Sequence, residues 1–267
     1  MLKYSQLTIM KKLVIANWKM NPASYAEAKK LAKAAGLSAK KHKNVKVVVC
    51  PPFPWLTDMS HEKEAGLEYG AQDVFWLDKG AYTGEVSPLM LKNSKVKYVI
   101  IGHSERRRLG ETGQNINMKL KAALANGLVP ILCVGEDAKT HSKGKLSVGK
   151  FLATQLREDL RGVDQNMFIN KKLIVAYEPI WAISTTPGVK KDTPENATET
   201  IFSIKKLVAR MFGILLSDIT VLYGGSVDSE NAYGFLSCPE IGGVLVGGAS
   251  LRPADFGGVV KIASELS

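Results

Sequence analysis

Short runs of apolar, mostly β-branched residues recur along this 267-residue chain at a spacing of roughly thirty residues. Each run is continuous and does not alternate with polar residues, as expected for strands buried on both faces of a parallel sheet. Amphipathic stretches with helical periodicity lie between the runs. The predicted strands are Leu13–Asn17, Val45–Cys50, Leu67–Ala71, Tyr98–Gly102, Val129–Val134, Leu173–Tyr177, Ile219–Tyr223 and Gly243–Val246.

Eight successive β–α units with no linker between them predict an α/β fold, a single (β/α)₈ barrel with a closed, parallel, eight-stranded sheet. We expect residues 1–10 to be an N-terminal extension and residues 11–267 to form the barrel domain. An open doubly wound sheet is the structural alternative. The turn after the first strand lacks a glycine-rich dinucleotide fingerprint, which makes that alternative less favoured.

Composition excludes several classes of protein from consideration. No apolar run approaches the roughly 18 residues that a membrane-spanning helix needs, and the first residues do not resemble a signal peptide. Three widely spaced cysteines, Cys50, Cys133 and Cys238, indicate a reducing compartment and no disulfide framework. The four histidines show no metal-ligand spacing. We therefore expect a cytoplasmic protein with no membrane segment and no metal.

The formal net charge of +11 is concentrated near the N-terminus, where the first fifty residues contain eleven lysines and one glutamate. One interpretation is a protein that binds nucleic acid or another anionic surface through this basic region. The other is a solvated helix face with a general attraction for an anionic small molecule. Because the lysines lack interleaved aromatic residues, we favour the second interpretation and expect no nucleic-acid partner.

Three chemically capable side chains follow strands of the predicted barrel. Glu178 ends the sixth strand before Pro179, His103 follows the fourth strand at a helix start, and Lys19 follows the first strand. The helix start beside His103 favours a neutral imidazole that donates a hydrogen bond. Each residue alone is more often structural. Because the carboxyl ends of barrel strands converge on one face, the three together indicate a base, an electrophile and a cation in one active site.

Glycine pairs follow the last two predicted strands, in Gly224-Gly225-Ser226 and in Gly247-Gly248. Such turns let backbone N–H groups approach an oxyanion, and phosphate sites of barrels lie behind strands seven and eight. No nucleophile or cofactor fingerprint accompanies them. This combination predicts proton abstraction next to a carbonyl group on a small phosphorylated substrate, without a cofactor.

Six stretches of the sequence resemble the triosephosphate isomerase family, in family order from about Lys11 to the end. They are Ala16-Asn17-Trp18-Lys19-Met20-Asn21, Gly80-Ala81-Tyr82-Thr83-Gly84-Glu85, Ile101-Gly102-His103-Ser104-Glu105-Arg106-Arg107, Ala176-Tyr177-Glu178-Pro179-Ile180-Trp181, Tyr223-Gly224-Gly225-Ser226-Val227 and Leu245-Val246-Gly247-Gly248-Ala249-Ser250.

The resemblance implies interconversion of dihydroxyacetone phosphate and D-glyceraldehyde 3-phosphate through an enediolate, a step of glycolysis and gluconeogenesis. Glu178 would be the base, His103 would polarise the carbonyl, and Lys19 would stabilise the enediolate. The family is homodimeric, and Thr83 would reach the partner's active site. The further roles that the resemblance implies fall on Asn17 (substrate orientation), Glu105 (a partner of Lys19), and Ser184, Ser226, Gly247 and Gly248 (phosphate binding).

The loop after the sixth strand departs from the family pattern. Ser184 to Asp192 replaces both family glycines and is about three residues longer, by comparison with short βα loops. The family's usual latch from the far end of this loop to Tyr223 or Ser226 is therefore in question. A second enzyme class, another barrel acting on a different sugar phosphate, would keep the glycine pairs without needing both His103 and Glu178.

Overall fold

The structure is a computed structural model that describes residues 11–170, 172–183 and 190–267. Its strands close into one barrel in which neighbours in sequence are neighbours in space and every pair is parallel. The predicted fold class is therefore confirmed, while the expected N-terminal extension, residues 1–10, lies outside the described residues. The strands are β1 (Leu13–Asn17), β2 (Lys46–Cys50), β3 (Leu67–Ala71), β4 (Tyr98–Ile101), β5 (Val129–Val134), β6 (Ile174–Tyr177), β7 (Val221–Tyr223) and β8 (Gly243–Val246).

The barrel has an inner and an outer apolar layer because successive strand residues point to opposite faces. Ile15 of β1 is aligned with Val48 of β2 and Leu245 of β8, and these three side chains pack together inside the barrel. Their neighbours in the strands, such as Val14 and Val47, belong to the outer layer that the helices cover. Continuous apolar strands are thus explained by burial on both faces.

The helices lie between the strands and pack against this outer layer. Serine or threonine side chains cap several of them, as Ser24, Ser87 and Thr193 show by accepting a backbone N–H of the first turn. The helices are α1 (Tyr25–Lys41), α2 (Phe53–Glu62), α3 (Pro88–Asn93), α4 (Ser104–Arg108), α5 (Gly113–Ala125), α6 (Ala138–His141), α7 (Lys145–Asp159), α8 (Asn166–Ile169), α9 (Pro194–Phe212), α10 (Ala232–Leu236) and α11 (Pro253–Glu265).

Three short 3₁₀ segments complete the described chain: Ile180–Ala182, Leu216–Asp218 and Gly248–Leu251. The first and third follow β6 and β8 directly, so they shape the carboxyl face of the barrel. Among the described residues, no helix is both long and apolar enough to cross a bilayer.

Candidate active site

A cavity of about 140 Å³ opens at the carboxyl ends of the strands. It brings together most of the residues that the sequence singles out, although they come from five different strand ends. The predicted site residues that line it are Asn17, Lys19, His103, Glu178, Ser226, Gly247 and Gly248.

Glu178 lines this cavity directly after β6 and is only 2% exposed. Its carboxylate Oε2 accepts a hydrogen bond from the backbone N–H of Ser104 at 3.0 Å, and its Oε1 lies 3.2 Å from His103 Nε2. A Cβ atom at Gly224 would lie 2.9 Å from Glu178 Cγ. The carboxylate is therefore held by two donors in a space that the glycine leaves open.

The orientation of His103 identifies its tautomer. The residue caps α4, and its Nδ1 accepts the backbone N–H of Glu105 at 3.2 Å. A nitrogen that accepts a hydrogen bond carries no proton, so in the neutral ring the proton is on Nε2. That N–H points toward Glu178 and can donate to a substrate oxygen that takes the carboxylate's place. The site thus presents a base and a neutral hydrogen-bond donor side by side.

Lys19 is held in place by its backbone as well as by its charge. It has a positive φ of 54°, its N–H donates to Asn17 Oδ1 at 3.1 Å, and its carbonyl accepts Gln72 Nε2 at 2.9 Å. Its ammonium donates to Glu105 Oε1 at 2.7 Å. Burial would raise the pKa of Glu105, but the hydrogen bond and charge of Lys19 outweigh it and hold that pKa below its ordinary value. A fixed cation therefore faces the cavity.

The glycine-rich end of the cavity differs in part from the expectation. Ser226 uses both its backbone N–H and its hydroxyl to bond the carbonyl of Ala182, at 3.3 and 2.9 Å. Its N–H is engaged in this structure and becomes available to a ligand only when that contact opens. Gly247 and Gly248 line the cavity where the 3₁₀ segment after β8 begins. Ser184, the other predicted phosphate ligand, lies outside the described residues.

Other predicted features lie beyond the cavity. Thr83 is on an exposed loop, residues 77–85, away from the cavity of its own chain. The hydroxyl of Tyr223 donates to Asp192 Oδ2 at 3.2 Å, so the described end of the longer loop does contact the tyrosine that the sequence comparison left in question. The contact is made by the side chain of Asp192, which belongs to the loop that departs from the family pattern.

Sequence reasoning missed several residues that shape the site. The Ser104 backbone N–H binds Glu178, Gln72 fixes the Lys19 backbone, and Arg252 and Asp228 line the cavity. A backbone donor leaves no signal in side-chain identity. Arg252 could have been found, since it lies four residues after the second glycine pair, on the segment that follows β8.

Comparisons with known proteins agree with this geometry. The family model described as triosephosphate isomerase matches residues 12–263. A triosephosphate isomerase of Dictyoglomus thermophilum is 42% identical over 254 residues, which cover 94% of this chain and 99% of the relative. One of Thermoanaerobacter sp. is 43% identical over 252 residues, covering 93% and 98%. One of Dehalococcoides mccartyi is 41% identical over 261 residues, covering 96% and 99%.

Proposed function

This chain belongs to the triosephosphate isomerase family and interconverts dihydroxyacetone phosphate and D-glyceraldehyde 3-phosphate, and we propose that Glu178 is the base of that reaction. Its carboxylate removes a proton from carbon 1 of dihydroxyacetone phosphate. The electron pair of the broken C–H bond forms the carbon–carbon double bond of an enediolate, with the negative charge on the former carbonyl oxygen. Glu178 then returns the proton to carbon 2.

His103 handles the oxygen atoms in this proposal. Its Nε2–H donates to the carbonyl oxygen as negative charge develops there, which lowers the barrier to proton removal. The ring then transfers a proton between the two oxygens, so that the hydroxyl and carbonyl groups exchange places. Its position 3.2 Å from the Glu178 carboxylate supports this pairing of roles.

Lys19 and the glycine-rich turns bind the charged parts of the substrate. The Lys19 ammonium stabilises the enediolate and the phosphate dianion, and Asn17, which accepts the Lys19 backbone N–H, orients it. Backbone N–H groups near Gly247 and Gly248 hold the phosphate, with Ser226 joining once its bond to Ala182 opens. Binding of the phosphate on carbon 3 fixes carbons 1 and 2 over Glu178.

The observation that carries the proposal is the buried Glu178 carboxylate in the cavity, whose Oε1 lies 3.2 Å from His103 Nε2. We expect Glu178→Gln to lower kcat by about 10³- to 10⁴-fold, because the amide cannot accept the proton. A coupled isomerase assay in both directions measures this. The control, Glu265→Gln at the exposed end of α11, is expected to keep full activity. Circular dichroism shows that both variants are folded, and a Glu178→Gln enzyme within tenfold of wild type would contradict the assignment.

We also propose that the enzyme is a homodimer. The loop of residues 77–85 is exposed throughout, and its base is closed by the bond from Phe75 N–H to the Val86 carbonyl at 2.8 Å. Met20, next to Lys19, is 93% exposed at the rim of the site. A neighbouring subunit's loop would cover this rim, with Thr83 completing the site. Sedimentation of the full chain at twice its 29.0 kDa mass is the expected result.

A cytoplasmic location belongs to the same proposal. Cys50, Cys133 and Cys238 are all free thiols, which a reducing compartment preserves. The substrate is a soluble phosphorylated triose of central carbon metabolism, which is consistent with that compartment.

A further inference from the structure

A second buried carboxylate, Glu136, contacts residues on both sides of Glu178 in the chain and takes no part in the mechanism above. It is 0% exposed. Its Oε1 accepts the Tyr177 hydroxyl at 3.1 Å and the Trp181 indole N–H at 2.7 Å, and its carbonyl accepts the N–H of Ile180 at 3.0 Å. Tyr177 and Trp181 lie on either side of Glu178 in the chain. Glu136 therefore fixes the backbone that carries the base.

This anchor has an electrostatic problem, because an ionised carboxylate is costly to bury without a counter-charge. Burial raises the pKa of Glu136, and the hydrogen bonds from Trp181 and Tyr177 only partly oppose that effect. In the described part of the chain, its Oε2 has no hydrogen-bond partner. A cation nearby would stabilise the charged form that accepts both hydrogen bonds most strongly.

His141, the last residue of α6, is in position to supply that cation. Its ring stacks on the Trp181 indole with centroids 3.9 Å apart, and its Nδ1 lies 3.4 Å from Glu136 Oε1. Burial raises the pKa of Asp192, and the charge of His141 is the last of several effects that oppose this rise. Asp192 accepts hydrogen bonds from the Tyr223 hydroxyl and the Thr193 N–H on the other side of the β6–α9 connection. The imidazole therefore lies beside Glu136 and acts on Asp192 only weakly.

The remaining charges around the ring do not replace it. Lys145 on α7 and Glu199 on α9 line the adjoining cavity, but they pair with each other. The 3₁₀ segment Ile180–Ala182 carries no charged side chain. On its own segment, the neighbours of His141 are Asp137, Lys139 and Lys143, and Asp137 caps α6 through the Thr140 N–H. Among the described residues, Glu136 is the charged group within salt-bridge distance of the ring.

We propose that His141 is a positioning residue whose protonated ring is the counter-charge for Glu136 and thereby holds Tyr177, Trp181 and the base between them. Imidazole is the side chain that normally changes charge between pH 5 and 8. The anchoring of the Glu178 backbone is therefore strongest while the ring carries its proton and weakens when that proton is lost. The effect on catalysis rests on the proposed role of Glu178, whereas the charge pairing does not.

Tryptophan fluorescence tests the charge pairing without substrate. We expect the wild-type emission to change between pH 5 and 8 as the ring stacked on Trp181 titrates. Trp181→Phe should abolish this transition, which assigns the signal. His141→Phe keeps an aromatic stack without a titratable nitrogen, and His141→Arg keeps a planar cation that does not titrate in this range. Both variants should therefore show no transition.

Activity then tests the positioning role. Relative to wild type, kcat/KM of His141→Phe should fall about fivefold at pH 5.5 and stay within about twofold at pH 8, since a half-buried charge pair is worth of the order of one pK unit or less. His141→Arg should keep a constant ratio to wild type across the same range. At each pH, kcat/KM of the variant is divided by that of wild type. The titration of the substrate phosphate affects all the enzymes equally and cancels in this ratio.

Two results would overturn the inference: a fluorescence transition that survives in His141→Phe, or a ratio of His141→Phe to wild-type activity that does not vary with pH. If circular dichroism shows that His141→Phe does not fold, His141→Arg replaces it in the test. A transition that persists in His141→Arg would then overturn the inference, and its absence would support it. Glu178→Gln should retain the wild-type fluorescence transition. The role of Glu178 is judged by whether Glu178→Gln loses isomerase activity. The charge pairing of His141 is judged by the fluorescence transition, so that one proposal can fail without the other.

Discussion

Glu178 and Asp159 are both buried carboxylates, yet the structure uses them in opposite ways. Glu178 faces the cavity, and its two oxygens meet a backbone N–H at 3.0 Å and the His103 Nε2 at 3.2 Å. Asp159, at the end of α7, has a side chain that is 0% exposed and meets the Arg107 guanidinium at 2.6 Å. In the proposed mechanism, a substrate oxygen takes over the hydrogen bond that His103 gives to Glu178, whereas protein atoms enclose the pair of Asp159 and Arg107.

Arg107 shows what the enclosed pair is for. Besides Asp159, it donates to the carbonyl of Gly102 at 2.7 Å and to that of Cys133 at 2.8 Å, at the ends of β4 and β5. Gly102 immediately precedes His103. The ion pair therefore supports the turn that places the imidazole beside Glu178. The comparison teaches that burial of a charge does not identify a catalytic group. The difference is whether its partners are free to exchange with a ligand.

The largest effect on stability is expected from Arg107→Leu. Removing the guanidinium leaves Asp159 buried without its partner and two carbonyl groups without their donor, which should cost about 3–5 kcal/mol in the free energy of unfolding. Urea unfolding at pH 7 measures it. Glu178→Gln is the matched comparison and should change the free energy of unfolding by less than about 1 kcal/mol. Equal destabilisation by the two variants would break the distinction between the two carboxylates.

The pH dependence of stability should carry the signature of Asp159. Burial raises its pKa to about 6, against the attraction of Arg107. Since the folded state holds this proton more tightly than the unfolded state, the resulting stabilisation is present below about pH 4, where the unfolded group titrates. It is lost as the pH rises through about 6, by an amount on the order of 2 kcal/mol.

Asp159→Asn isolates this contribution. Between pH 4 and pH 7, wild type should lose stability relative to Asp159→Asn, as measured by the difference between their free energies of unfolding. Urea unfolding at intervals of one pH unit follows it. The control is Glu265→Gln at the exposed end of α11, far in sequence from Asp159, whose difference from wild type should stay flat. A flat difference for Asp159→Asn as well would show that Arg107 keeps the carboxylate ionised throughout.

The sequence predicted the strands well because burial on both faces leaves a continuous apolar signal. The predictions from sequence were wrong at the ends of strands and at helix starts, where turns and prolines set the boundary and not the apolar pattern. The seventh strand was expected to begin at Ile219 but begins at Val221, since the 3₁₀ segment Leu216–Asp218 directly precedes that stretch. The helix Phe53–Glu62 was not predicted, because Pro52 and Pro54 look like breakers, whereas a proline at the start of a helix is tolerated.

The candidate site could be predicted only as a set of strand ends. Barrel topology brings Lys19, His103 and Glu178 to one face, and that topology follows from periodicity. The engagement of Ser226 with Ala182 and the stacking of His141 on Trp181 depend instead on how segments about forty residues apart approach each other. Such contacts are set by packing after the fold has formed, and no local pattern in the sequence encodes them.

The smallest effect is expected from Gly224→Ala, which tests how packing positions Glu178, the carboxylate that faces the cavity. The added Cβ would lie 2.9 Å from Glu178 Cγ, so the base must shift by a few tenths of an ångström. We expect kcat to fall about tenfold, because proton transfer depends steeply on the position of the base. KM should stay within about twofold, since the atoms nearest to the added Cβ belong to Glu178 and Tyr177 and not to Gly247 or Gly248. Steady-state kinetics with both triose phosphates separates the two constants.

Gly149→Ala provides the matched control for this glycine substitution. Gly149 lies within α7, and a Cβ there would meet no atom within 4 Å. Replacing it should leave kcat unchanged and stabilise the helix by about 0.5–1 kcal/mol, because alanine loses less backbone entropy than glycine. If Gly224→Ala instead raised KM and left kcat unchanged, the methyl group would be acting on the bound phosphate. Glu178 would then have room to move beside Gly224, so its position would depend less on packing than the buried pair of Arg107 and Asp159 does.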